Sequence, residues 1–234
     1  MGSSAASDHT RDALADLPSL APLPTAAERA ADLIRENIFQ GGFRPGAALP
    51  ETALARALGV SRNTVREAYR RLITEHLLAY EVHKGVTVRR LAPDDVRDIY
   101  RLRRMHELSA IEELRSGAAT LDDGGLRDSV VAGQRAGAAD DWVGAGTADL
   151  RFHAEIVAVH GSPRLNGFFR RLMTEMRLGF LALTDPHAFH APYLVGNADI
   201  CEHLIQGRWD QAHAALRRYL DAAEHEVARA VAHR

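Results

Sequence analysis

The chain has 234 residues, of which 46% are hydrophobic and 26% are charged, and its formal net charge is −2. This composition is typical of a globular protein with one large domain or two small ones, and the single cysteine, Cys201, excludes an intramolecular disulfide. No apolar run approaches the ~18 residues of a membrane span. The start lacks the segments of a secretory signal, so we expect a cytoplasmic location and no membrane contact.

Basic side chains are concentrated towards the amino terminus. Residues 25–90 contain 11 basic and 7 acidic side chains, whereas residues 91–234 contain 17 basic and 21 acidic ones. The basic segment suggests an anionic partner, although a solvated basic face has the same composition.

The first predicted element follows a polar, proline-containing stretch over residues 1–22, which we expect to be a disordered tail. A helix is predicted over residues 25–39, because Thr25 and Glu28 form a capping-box pattern at its start. Its apolar stripe is Leu33, Ile34 and Ile38.

Two further helices are predicted over residues 51–58 and 61–75, with a turn at Gly59 between them and Ser61 as the cap of the second. The second has an apolar stripe of Val65, Tyr69, Leu72 and Ile73 and an opposite stripe of Arg62, Arg66 and Arg70. Short strands are then predicted over residues 78–81 and 86–89, forming a hairpin with a basic tip at His83, Lys84 and Gly85.

This arrangement is typical of a helix-turn-helix followed by a wing. The small side chain of Ala55 allows a close helix crossing, and the cap at Ser61 leaves the next residues free to face a groove. Polar groups in that first turn can bond phosphates or base edges, namely Arg62, Asn63, Thr64 and Arg66. A plain pair of helices with a solvated arginine face is the alternative, and the hairpin and the basic charge favour DNA binding.

The remainder is predicted to be an all-α bundle of about six helices. The first starts at Pro93 and runs to about residue 115, and the others lie near 122–136, 140–159, 163–183, 192–206 and 208–232. We therefore predict a mainly α chain with a tail over residues 1–22, a winged helix-turn-helix over 23–90 and a helical bundle over 91–234.

The segment from residue 41 to 88 resembles the DNA-binding domain of the GntR family of bacterial repressors. The resemblance rests on Pro45-Gly46, Leu54-Ala55, Ser61-Arg62, Val65-Arg66-Glu67-Ala68 and Gly85. Thr64 stands where the family usually has proline, and His76 stands where it usually has glycine.

The resemblance implies that double-stranded operator DNA is the partner. It assigns Arg62 and Arg66 to operator contacts and the wing residues His83, Lys84 and Gly85 to the adjacent minor groove. Arg35 and Arg44 are weaker candidates for phosphate contacts.

The second half resembles the effector-binding (FCD-type) domain of the FadR-like branch of that family. The matching residues are Asp98-Ile99-Tyr100, Arg103, Glu107, Asp149, Phe152-His153, Gly161-Ser162-Pro163, Leu165, Gly207, Ala212, Leu216 and Leu220. This resemblance implies a homodimer that responds to a small-molecule effector.

Polar residues on stripes that should be buried indicate where that effector binds. Arg103 lies on such a stripe and needs a carboxylate partner, either Glu107 or a ligand. Asp149 and His153 are one helical turn apart and point inward, so they can chelate a divalent metal or simply form hydrogen bonds.

The resemblance implies two further histidine ligands, but Asn197 and Tyr219 stand at those positions. Both are poor ligands for zinc or nickel, so a metal at Asp149 and His153 is the less favoured hypothesis, with His203 or His160 as alternative ligands. We favour a metal-free pocket for a ligand with carboxylate, hydroxyl or amide groups, formed by Arg103, Asp149, His153, Asn197 and Tyr219. The remaining histidines, including His190, are expected to be surface or helix-face residues.

The leading hypothesis is a dimeric, ligand-responsive transcriptional regulator that is not an enzyme and that recognises an inverted repeat. The alternative is a helical metal-dependent hydrolase or lyase that uses Asp149 and His153. The sequence has no nucleophile elbow, no phosphate-binding glycine loop and no second carboxylate–histidine pair, which speaks against the enzyme.

Overall fold

A computed structural model describes residues 24–233 of the chain. The tail predicted over residues 1–22 lies outside the described residues. Between residues 24 and 91 the elements are α1 (Ala26–Phe39), α2 (Glu51–Leu58), α3 (Arg62–Thr74), β1 (Leu78–Glu81) and β2 (Gly85–Val88). Beyond them follow α4 (Pro93–Ser116), α5 (Gly124–Ala138), α6 (Trp142–Ala158), α7 (Pro163–Phe180), α8 (Pro186–Ile205) and α9 (Trp209–Ala232). The predicted class, a winged helix-turn-helix joined to a helical bundle, is confirmed.

The local signals that start and separate the first helices act as the sequence predicts. The Thr25 hydroxyl accepts from the Glu28 amide at 3.1 Å, and the Glu28 carboxylate accepts from the Thr25 amide at 2.7 Å. The Ser61 hydroxyl accepts from the Thr64 amide at 3.0 Å and begins α3. Gly59 ends α2 with φ of 65°, a left-handed conformation that glycine adopts without strain.

Two predicted core residues of the winged helix-turn-helix lie outside its core. Leu33 is 58% exposed and Ile73 is 37% exposed, whereas Ile34 and Leu72 beside them are buried. Successive side chains of a helix point about 100° apart. When Ile34 and Leu72 point into the core, Leu33 and Ile73 therefore point to the edge of the buried face.

Two element boundaries also differ from prediction. The strands pair antiparallel with Glu81 opposite Gly85, so β2 begins at Gly85 rather than at residue 86. Helix α8 begins at Pro186, six residues before its predicted start, because the Asp185 carboxylate accepts from the Ala188 amide and caps it. Pro192 lies inside this helix, where it cannot donate a backbone hydrogen bond and its ring crowds the carbonyl four residues earlier.

The six helices between residues 93 and 232 form a bundle in which α4 packs on α9, and α6 packs on α5, α7 and α8. Helix α1 of the winged helix-turn-helix lies against α7, and Leu91 belongs to the same buried cluster as residues of both parts. In the described part of the chain, no helix combines the length and apolar character that crossing a bilayer requires.

Candidate DNA interface and effector site

Helix α3 presents its arginine stripe to solvent. Arg62 and Arg66 have side chains 61% and 51% exposed, and Arg70 is exposed as well. The opposite face packs Val65 and Leu72 into the core, which is what leaves the arginines outside. Their role in DNA contacts remains a prediction, and their placement meets the geometric requirement for it.

A carboxylate that the sequence reasoning did not single out neutralises part of this stripe. Arg66 Nε donates to both carboxylate oxygens of Glu51, at 3.0 and 2.9 Å, and Arg62 Nη2 lies 3.7 Å from Glu51 Oε2. The hydrogen bond from Arg66 holds the pKa of Glu51 below its usual range. Exposed ion pairs of this kind contribute little to stability, so phosphate groups can compete for both arginines.

The remaining polar residues of the predicted interface divide into two kinds. Ser61 and Thr64 are within 2.8 Å of each other through their hydroxyl oxygens and serve the helix cap, whereas Asn63 is exposed. At the wing tip, His83 and Gly85 adopt φ of 67° and 77°, as a tight turn requires. The Lys84 ammonium there is exposed and lies 2.8 Å from Glu81.

The two weaker phosphate candidates have different surroundings. Arg35 donates from Nε and Nη2 to Glu75, at 2.8 and 2.9 Å, and so ties α1 to the end of α3. Arg44 is exposed in the loop after α1. Of the two, Arg44 has the geometry expected of a phosphate contact.

All five residues predicted for the effector pocket meet in the centre of the bundle. Arg103 Nε donates to Glu107 Oε1 at 2.8 Å, and Glu107 Oε2 lies 2.6 Å from His153 Nδ1. These three side chains are fully buried. Burial opposes ionisation of Glu107, but attraction by Arg103 and His153 outweighs it and lowers the pKa of this carboxyl.

The second half of the cluster is built around Asp149. Its Oδ1 accepts from Asn197 Nδ2 at 2.8 Å and from the Tyr219 hydroxyl, and it lies 3.8 Å from His153 Nε2. Burial, followed by the charge of Asp149, raises the pKa of Tyr219 far above its usual value, so the phenol stays a neutral donor. Helices α4, α6, α8 and α9 therefore each supply a polar group to one buried site.

Several buried polar atoms in this site have no hydrogen-bond partner among the described residues. They are Arg103 Nη1 and Nη2, His153 Nε2, Asn197 Oδ1 and the Tyr100 hydroxyl. The Arg103 guanidinium carbon lies 4.8 Å from the centre of the Tyr100 ring. Such atoms are costly to bury unsatisfied, so their concentration in one place makes this cluster the candidate effector site.

These residues do not fit a zinc or nickel ion. Asp149 Oδ1 already accepts two hydrogen bonds, and the Arg103 cation belongs to the same buried cluster. Within residues 24–233, no group of three or more His, Cys, Asp or Glu side chains is arranged so that it could hold a metal ion. The alternative ligand His160 bonds Glu113 at 2.8 Å and the His106 carbonyl at 3.0 Å instead. The donor set suits a hydrogen-bonded organic ligand better than a transition metal.

Two buried residues near the cluster were not anticipated as part of the site. Arg177 of α7 is buried, and His190, which was expected at the surface or on a helix face, lies on a buried face of α8. Burial lowers the pKa of Arg177 to about 10 and that of His190 to about 4, and Asp149 opposes both shifts. Met173 and Phe189 beside them are buried as well, but a single polar residue among apolar neighbours does not show from the sequence alone whether it is buried.

Comparisons with known proteins agree with this architecture. Residues 26–88 match the family described as bacterial regulatory proteins, gntR family, and residues 98–222 match the FCD domain. A solved structure of a GntR transcriptional regulator from Rhodococcus sp. RHA1 is 36% identical, covers 86% of this chain and 96% of its own, and superposes with a TM-score of 0.80. E. coli McbR/YncC, 20% identical with a TM-score of 0.73, covers 88% of this chain and 99% of its own and shares the fold.

Two curated relatives match over shorter segments. The Nta operon transcriptional regulator of Aminobacter aminovorans is 32% identical over 138 residues, which cover 58% of this chain and 64% of that protein. The regulator YdhC of Bacillus subtilis is 39% identical over 79 residues, 34% of this chain and 35% of that protein. Each is thus matched over less than two thirds of its length. By its two matched domains, the chain belongs to the GntR family of bacterial regulatory proteins and carries an FCD domain after its winged helix-turn-helix.

Proposed function

We propose that this protein is a ligand-responsive transcriptional regulator that acts in the cytoplasm. Residues 23–90 bind double-stranded operator DNA, and residues 91–234 bind a small effector and form a homodimer. Effector binding changes the affinity for the operator, and operator binding changes the affinity for the effector by the same factor.

The exposed first turn of α3 supports the DNA-binding half of this proposal. Arg62, Asn63 and Arg66 project from a capped helix terminus, where arginine can donate two hydrogen bonds to a guanine edge in the major groove. Lys84 and His83 extend from the wing on the same domain and can reach backbone or minor-groove atoms.

The single observation that carries the effector proposal is the state of Arg103. Glu107 accepts a hydrogen bond from Arg103 Nε alone. Both terminal nitrogens of Arg103 are therefore buried and unpaired among the described residues. Two parallel N–H donors of this kind match a carboxylate. Asn197 Oδ1 is an unpaired acceptor in the same cluster, so the ligand also carries a hydroxyl, amide or amine donor.

A thermal-shift screen of small hydroxy acids, amino acids and sugar acids tests the effector site. A ligand of the native state raises the melting temperature, and Arg103→Met should abolish that rise while Arg164→Met, an exposed change on α7, should preserve it. A carboxylate that stabilises the Arg103→Met protein as strongly as the wild type contradicts the assignment.

The homodimer is proposed because two DNA-binding domains related by a two-fold axis read two half-sites of an inverted repeat. Sedimentation at micromolar concentration should give the mass of two 25.6 kDa chains. Sedimentation as a monomer, both free and on the operator, contradicts this part of the proposal.

A further inference from the structure

Arg177 is a buried cation without a carboxylate in hydrogen-bond contact among the described residues. Its Nη2 donates to the Val143 carbonyl at 2.8 Å, while its Nε has no partner in the described part of the chain. A guanidinium in that situation is costly to maintain, because burial disfavours its charge. A hydrophobic side chain would fill the same volume more favourably, so the cation calls for another explanation.

One side of Arg177 faces the winged helix-turn-helix. Gly41 follows α1 with φ of 79°, and a β-carbon there would lie 3.5 Å from Arg177 Nη2 and 3.3 Å from the side chains of Val143 and Leu181. The space beside Gly41 is therefore lined by the guanidinium and by the first turn of α6, and only a residue without a side chain leaves that space open.

The other side of Arg177 faces the effector site. A β-carbon at Gly146 would lie 2.6 Å from Arg177 Nη1 and 2.9 Å from the His190 ring, so only glycine admits both side chains against α6 at this point. Asp149 is one turn further along α6, and its charge attracts the Arg177 guanidinium. The arginine thus lies between the buried carboxylate of the effector site and the Gly41 loop.

We propose that Arg177 couples the effector site to the DNA-binding domain. An anionic effector adds negative charge beside Asp149 and draws the guanidinium, through its free Nε, towards the ligand. The Nη2 bond to the Val143 carbonyl then breaks, and the Gly41 loop loses its support. This inference rests on the proposed effector site, and it makes Arg177 a positioning residue for the domain interface.

Other contacts across the same interface keep the domains together while Arg177 moves. Arg89, just after β2, bonds Glu175 of α7 at 2.9 Å and Asp95 of α4 at 2.6 Å. Arg151 of α6 lies 6.0 Å from the centre of the Phe39 ring in α1. The coupling therefore adjusts an existing interface and does not create or abolish it.

The test is a double-mutant cycle that needs no effector. Asp149→Asn removes the charge that attracts Arg177. The hydrogen bond from Arg177 Nη2 to the Val143 carbonyl should then form more of the time, hold the Gly41 loop in place and slow amide hydrogen exchange of residues 40–48. We expect this slowing to be roughly fivefold or more in the wild-type background, the lower end of typical allosteric coupling, and less than about twofold in an Arg177→Met background. Arg164→Met, the same chemical change at an exposed site of α7, should leave the full Asp149→Asn effect in place.

Arg177→Lys keeps the charge but lacks the forked donors, so it should fold and retain only part of the coupling. It replaces Arg177→Met in the cycle if the methionine variant does not fold. The proposal is overturned if Asp149→Asn slows exchange equally with and without Arg177, or does not slow it at all. The proposed effector site is tested separately, by whether carboxylates still raise the melting temperature of Arg103→Met. The two proposals can therefore fail independently.

Discussion

At the scale of single residues, the buried pair Arg103–Glu107 should be costly to break and cheaper to remove as a whole. Replacing Glu107 by leucine strands the arginine charge in the core, which we expect to cost about 3–5 kcal/mol of unfolding free energy. The double replacement Arg103→Met with Glu107→Leu removes both charges and should cost less than half as much. Urea unfolding of Glu107→Leu, Arg103→Met and the double variant measures the three losses, and additive losses would show that the two side chains do not act as a pair.

Glu175 gives the protein a pH dependence that can be isolated by one substitution. Burial raises the pKa of Glu175 to about 7, with Arg89 opposing and Asp95 and Asp98 reinforcing the shift. The folded state then binds a proton more tightly than the unfolded state, whose carboxyl titrates near 4.5, so this group's contribution to stability falls as pH rises from about 5 to 8.

Glu175→Gln should remove that dependence. We expect the wild type to lose unfolding free energy relative to Glu175→Gln between pH 5 and pH 8, as measured by urea unfolding in matched ionic strength. A difference between the two proteins that stays constant over this range, or that grows in favour of the wild type, would refute the raised pKa.

At the scale of elements, Glu51 on α2 restrains the arginines of α3. Because it pairs with Arg66 and lies near Arg62, Glu51→Gln should free both guanidiniums for phosphate contacts and tighten operator binding several-fold. The gain should shrink as salt is added. Glu67→Gln, which removes one exposed acidic charge from α3 itself, is the matched control, and an equal gain there would mean that only net charge matters.

The elements also show what the sequence could and could not predict. Helix starts at Thr25 and Ser61 depend on side chains within three residues, so local patterns were sufficient. The start of α8 differs from the prediction because Pro186 and Pro192 are both suited to the first turn of a helix. Only the cap formed by Asp185 shows that Pro186 is the one that begins it.

Arg103, Asp149 and His153 could be anticipated because each falls on a stripe that must face the bundle centre, whereas Asn197 and Tyr219 were anticipated only from the resemblance to the family. Arg177 and His190 could not, since whether a single polar residue in an apolar helix is buried depends on which neighbours pack over it. Here Gly146 on a different helix makes the room for both, and no local pattern in α7 or α8 encodes that.

At the scale of the whole molecule, the proposed effector site and the proposed operator-binding surface lie on parts of the chain that share one buried cluster. The buried cluster runs from α3 through Leu91 into the bundle, and α7 contacts both the DNA-binding domain and the effector site. Linkage then requires that an effector which weakens operator binding is itself bound less tightly by the DNA complex.

That reciprocity is measurable with any carboxylate found to stabilise the protein. Its dissociation constant, measured by calorimetry with and without saturating operator, should change by the same factor as the operator's dissociation constant changes with and without the ligand. Unequal factors would mean that the two sites are not linked through a common pair of states.

The central claim is that the outward stripe of α3 reads DNA, and the affinity of the double variant Arg62→Ala, Arg66→Ala for its operator tests it most directly. The operator is obtained by selecting duplexes from a random library with the wild-type protein, and Arg164→Met serves as a control of equal charge change per site. We predict that the double variant binds roughly thirtyfold or more weakly while the control is unchanged. Wild-type affinity in the double variant, with its fold intact by circular dichroism, would contradict the account.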